Sequence, residues 1–126
     1  MRYIVPGVLL IVALIHVLPL AGVLGAAKLS SLYGIAVADP NLEIMMRHRA
    51  VLFGLLAAFL AYAAFHPRLH GLALVAGAVS VVSFLVLAGM VGGYNPALGT
   101  VVKVDIVAAV LLAVGFAFHL RGEGGP

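Results

Sequence analysis

Four apolar runs make up most of this chain, at about residues 4–24, 42–65, 71–92 and 98–119. Each is close to the ~20 residues an α-helix needs to cross a bilayer's hydrocarbon core. Backbone lying in lipid must satisfy its own N–H and C=O groups, and a helix does so within a single segment. The runs therefore predict an all-α, integral-membrane four-helix bundle forming one domain over residues 1–126. A soluble fold is the alternative, and composition opposes it. Hydrophobic residues make up 65% of the chain and charged residues only 9%, against about 25% charged in soluble domains.

Local signals place the helix ends. Asp39-Pro40 reads as an N-cap followed by proline at the first helical position. Pro67 cannot continue a hydrogen-bond ladder, so the second helix closes near His66. Gly92-Gly93-Tyr94-Asn95-Pro96 separates the third helix from the fourth. The first run, with Arg2 ahead of it and Gly25-Ala26-Ala27 behind, has the outline of a signal peptide. It is longer than a typical signal core and carries His16 and Pro19, so an uncleaved helix is expected. The connection over 26–39 contains LSSLYGI and reads as a loop or a short interfacial helix. The RGEGGP tail is expected to fray.

Charge gives orientation and removes several functions. Arg2, Arg68 and Arg121 fall on the side shared by both termini, while Lys28 is the one basic residue in the opposite loops. This count sets aside Arg47, Arg49 and Lys103 as intrahelical. The positive-inside rule then predicts an N-in/C-in topology, with both termini cytoplasmic. The net charge of +3 comes without a basic run, so no nucleic-acid partner is expected. There are no cysteines, which excludes disulfides, thiolate catalysis and cysteine metal sites. Nucleotide-loop, zinc-protease and nucleophile-elbow motifs are missing.

Ionisable residues inside the runs are the candidates for function. At 1.5 Å per residue, Arg47 lies roughly 10 Å beyond Pro40, Asp105 about 14 Å beyond Pro96, and His16 about 13 Å back from Gly25. These groups share one level in the outer half of the bundle, where bare charges pair, face inward or mark a site. Arg47 continues into Ala50, Gly54, Ala57 or Ala58, and Ala61, a small-residue stripe that predicts an inward face. Glu43 stands four residues before it, the favourable order for an ion pair. Arg49 lies about 200° around the helix, with Phe53, Leu56 and Leu60, and is expected to snorkel to headgroups, as is Lys103. His48 falls between the two arginines. Tyr33 and Tyr94, in the outer connections, are placed to close the cluster.

Arg47, Asp105, Glu43, His16, His48, Tyr33 and Tyr94 thus form the candidate binding set, with a purely structural salt-bridge network as the competing reading. Ser80 and Ser83 share a face of the third helix, so a Ser–His–Asp set with His16 and Asp105 can be written, though any such bundle allows it. His66 and His70 have a metal-like i,i+4 spacing, but Pro67 interrupts it. His119 reads as an interfacial residue.

Leu32-Tyr33-Gly34-Ile35, Asp39-Pro40-Asn41, Arg47 to Arg49, Gly54 and Asp105 together resemble the small four-helix bacterial membrane proteins of the broad DoxX-like kind. That resemblance implies a bacterial inner-membrane location and an accessory role near quinone-linked redox chemistry, and it carries over no catalytic residue. Similar proteins with the RHRAVLFG stretch are sometimes called phosphopantetheine adenylyltransferases. That activity needs a soluble α/β fold and a His-x-Gly-His phosphate site, and the sequence has neither.

The leading expectation is an accessory or binding protein in the lipid bilayer, with a polar pocket for a small amphipathic or anionic ligand such as a quinone or lipid headgroup. A homo-oligomer or a redox-complex partner fits this role. One alternative is a redox protein holding haem b between His16 and His48. Another is a membrane enzyme with Asp105 or Glu43 as general acid or base and Arg47 stabilising an anion.

Overall fold

Pro19 shapes the first span. In the computed structural model, which describes residues 2–122, helix α1 covers Ile4–Val17 and the chain continues as a tighter 3-10 helix over Leu18–Leu24. Proline has no N–H to give to the carbonyl four residues back, and its ring crowds that carbonyl. The i→i+3 pattern is the available continuation. Gly25, at φ 133°, then turns the chain into α2, Ala26–Tyr33. The connection predicted as loop or short helix is therefore largely helical. It stops at Gly34, where φ is 66° and the N–H bonds back to the Ser30 carbonyl at 2.8 Å. Glycine is the residue that meets this left-handed stop without strain.

The remaining spans begin on side-chain caps. Asp39 accepts from the Asn41 N–H at 2.8 Å and starts α3, Pro40–Ala64. A 3-10 turn at Pro67–Leu69 leads into α4, His70–Val91. Asn95 accepts from the Leu98 N–H at 2.8 Å and starts α5, Pro96–Leu120. The fold is all-helical, with no strand among the described residues. Four stretches are long and apolar enough to cross a membrane: Ile4–Leu24, Pro40–Ala64, Pro67–Val91 and Pro96–Leu120. The last four residues of the expected frayed tail lie outside the described residues.

Helix α1 is the centre of the bundle. Val5, Leu9 and Val12 are fully buried against Leu60 of α3, Leu74 of α4 and Leu112 of α5. Large apolar side chains also cover the outside, Leu14, Leu55, Val79 and Val110 among them. Apolar residues all around a helix are what a lipid-facing bundle needs. Gly115 sits where three helices converge, and a Cβ there would lie 3.0 Å from Leu74 and 3.2 Å from Val8. At the end where α3 and α5 begin, hereafter the upper end, a second apolar cluster of Leu29, Tyr33 and Val37 packs with Leu42, Met46 and Leu98. This cluster lays α2 across the tops of α3 and α5 and so positions the site.

Candidate functional site

The three adjacent basic residues of α3 have different fates. Arg47 is exposed; its Nη1 donates to Glu43 Oε2 at 3.1 Å and its Nε to the Val23 carbonyl at 3.0 Å. The expectation that Arg47 faces the interior is thus corrected, while its expected ion pair with Glu43 forms. At their level the neighbour is the end of the 3-10 helix, whose free carbonyl draws the guanidinium outward, as basic side chains do at helix C-termini. The pair is substantially open, at 46% and 34% side-chain exposure, and an open pair of this kind contributes little to stability. His48 is exposed too and borders none of the cavities described below.

Arg49, expected to snorkel, is the arginine that turns inward. It is half-buried, and its Nη1 donates to the Tyr33 hydroxyl at 2.9 Å. Its guanidinium carbon stands 4.4 Å from the centre of the Phe53 ring and 5.6 Å from that of Tyr33. A cation over ring faces in a partly desolvated place is attracted by the ring quadrupoles. The cause of the reversal is α2, which brings Tyr33, only 5% exposed, down onto α3. Asn95 holds Tyr33 there, its Nδ2 donating to the Tyr33 carbonyl at 2.8 Å and the Gly34 carbonyl at 3.2 Å.

His16 is buried at the same level. Its Nδ1 lies 2.8 Å from the Val12 carbonyl and its Nε2 2.9 Å from Ser80 Oγ. Its ring packs at 5.5 Å, tilted, against Phe53. Both ring nitrogens are therefore engaged, and His48 lies elsewhere. The structure does not bring His16 and His48 together as the expected axial pair. The written Ser–His–Asp set also fails to form, because His16 Nδ1 faces a backbone carbonyl where a carboxylate would be needed.

Asp105 completes the group. A cavity of about 20 Å³ is lined by His16, Tyr33, Arg49, Phe53 and Asp105, a space of the size that holds one water. Three wider clefts open from this point. One, of about 300 Å³, runs between α3 and α4 past Arg49, Phe53, Leu56, Ser80, Ser83 and Phe84. A second, of about 340 Å³, lies against Leu18, Tyr33, Thr100, Val104 and Asp105. The third, of about 440 Å³, opens at the upper end beside Tyr33, Arg49, Tyr94 and Asn95.

Of the expected residues, His16, Tyr33 and Asp105 come together and Tyr94 borders the upper mouth. Arg47, Glu43 and His48 stay outside. Of the two carboxylates named for the membrane-enzyme alternative, Asp105 stands at the site and Glu43 does not, and Arg49 takes the place expected for Arg47. Two residues carry parts not given to them from the sequence: Arg49 is the central cation and Asn95 the tether of Tyr33, while the written pairing of Ser80 with His16 forms. The i,i+4 placement of Arg49 and Phe53 was the available signal for the first. Among the described residues, no group of three His, Cys, Asp or Glu side chains could hold a metal ion.

These features define an all-helical chain with four candidate membrane spans and a polar centre that three apolar-walled clefts reach. Comparison with protein-family models, with curated proteins and with solved structures finds no match in any of the three.

Proposed function

We propose that this chain is a small accessory protein of the bacterial inner membrane that binds a small amphipathic or anionic ligand, a quinone or a lipid headgroup. The ligand's polar end meets Arg49, beside Tyr33 and Asp105, and its apolar part lies in the α3–α4 cleft. One observation carries the reading: a half-buried arginine with its guanidinium over Phe53 lines clefts with largely apolar walls. Arginine offers five N–H donors in a fixed fork, and the described residues engage one side-chain bond of Arg49, that to Tyr33. A charge at such depth is costly without a counter-group, and Asp105 across the small cavity supplies one.

Orientation with both termini cytoplasmic is part of the proposal. Arg2, Arg68 and Arg121 sit at the lower end. Arg47 and Arg49 lie on α3 and Lys103 on α5, within candidate spans, so the count of loop charges leaves them out. The positive-inside rule then favours a cytoplasmic lower end.

The test compares Arg49→Gln with Arg47→Gln after purification in mild detergent. Bound quinones and lipids are extracted and quantified by mass spectrometry. Arg49→Gln is expected to lower retention of the bound species at least about tenfold, the loss of one charge-assisted contact of about 1.5 kcal/mol or more. Arg47→Gln is expected to retain it. Equal retention by the two variants refutes the site.

A further inference from the structure

The α4 wall of the α3–α4 cleft carries two hydroxyls whose protons are already committed. Ser83 Oγ donates to the Ser80 carbonyl at 3.1 Å. For Ser80 the direction follows from His16. The Val12 carbonyl can only accept, so the His16 Nδ1 at 2.8 Å carries the hydrogen. The imidazole is 3% exposed and has no carboxylate within ion-pair distance among the described residues. A buried charge without a partner is costly, so the ring is neutral. Its Nε2 is then a lone pair, and Ser80 Oγ, 2.9 Å away, donates to it.

Both serines line the cleft, and with their protons spent they offer it lone pairs only. Arg49, on the same cleft, offers only donors. The polar code of the cleft is therefore directional, from donors at the Arg49 end to acceptors at the Ser80 end. Their separation follows from packing. Leu60 of α3 lies 3.9 Å from the Cβ position of Gly77 on antiparallel α4, which puts Ser80 about level with Ala57. The Arg49 guanidinium lies over Phe53. The two ends are thus about one helical turn apart along the bundle, roughly 6 Å.

Resting on the ligand site proposed above, we infer that the occupant is a single-chain amphiphile with an oxyanion at one end of its polar part and a hydroxyl a few bonds further along. The oxyanion takes donors from Arg49, and the hydroxyl donates to Ser80 or Ser83. The chain follows the apolar wall of Leu52, Leu56, Phe84 and Leu87. A ligand that presents only acceptors at the second position leaves two serine lone-pair groups without donors and loses water it cannot replace.

The experiment titrates purified full-length protein in detergent micelles with 3-hydroxydecanoate and with decanoate, by calorimetry. The hydroxy acid is expected to bind about five- to tenfold more tightly, the effect of one added hydrogen bond. The ratio is expected to fall towards one in Ser83→Ala combined with Ser80→Ala, and to persist in Ser80→Thr, which keeps a hydroxyl for His16. Ser83→Ala alone, at an exposed position, lowers the ratio without disturbing the buried pair. A ratio near one in the unmodified protein, with decanoate still weakened by Arg49→Gln, overturns the inference and leaves the Arg49 site standing. Binding of both acids that ignores Arg49→Gln, or no binding of either, overturns both.

Discussion

Asn95 joins two jobs in one side chain, and its replacement tests how the site is held. Its Oδ1 accepts from the Leu98 N–H and caps α5, while its Nδ2 donates to the Tyr33 and Gly34 carbonyls at the end of α2. Loss of an N-cap to alanine costs about 1 kcal/mol. The tether has one well-formed bond at 2.8 Å and a longer one at 3.2 Å, together worth about 1 kcal/mol net. Asn95→Ala is therefore expected to lower unfolding stability by about 2 kcal/mol in reversible denaturation from micelles. Asn95→Asp separates the two parts. Aspartate caps as well as asparagine, but it places an acceptor against two carbonyls where a donor stood. It is expected to lose about 1 kcal/mol, to release Tyr33 from Arg49 and to weaken ligand retention. The control is Asp39→Ala, which removes the cap of α3, costs about 1 kcal/mol and leaves retention unchanged. Asn95→Asp with unmodified stability and retention refutes the tether, and with it the account of why Arg49 turns inward.

Two further outcomes follow from packing and charge. Gly115→Ala puts a methyl 3.0 Å from Leu74 and 3.2 Å from the stiff Val8 and is expected to destabilise by about 1–3 kcal/mol. Gly89→Ala meets nothing within 4 Å and is expected to be neutral or to gain up to about 1 kcal/mol; the same denaturation series ranks the pair. Because the chain has no cysteine, single-cysteine variants give a clean topology readout. Lys28→Cys is expected to react with an impermeant maleimide in intact cells and Arg68→Cys only after lysis, and the reverse pattern overturns the orientation.

The helices were legible because their signals are local. Apolar length, the Asp39 cap and the breaks at Pro67 and over residues 92–96 each act within a few residues, and the observed ends fall within about two residues of those expected. Pro19 was visible too, but its consequence was not. Whether proline kinks a helix or tightens it into 3-10 form depends on what packs beside it, and here Gly22 admits Leu29 of α2 closely. The level of the site was legible as well, because rise per residue is fixed and His16 and Asp105 do meet.

The choice between Arg47 and Arg49 was not legible, and the reason is physical. A small-residue stripe reports where two backbones approach, and it does so correctly at Ala50 and Ala57, both buried. An arginine at the head of that stripe is free of the constraint, since its long side chain reaches whichever acceptor is near. For Arg47 that acceptor is the Val23 carbonyl, freed by the end of a 3-10 helix. For Arg49 it is the hydroxyl of Tyr33, brought over by a helix that lies across the spans. Val23 lies near the end of the first span and Tyr33 stands in the connection over 26–39, and periodicity along α3 describes neither. The segment that looked like a connection therefore draws Arg49 into the bundle.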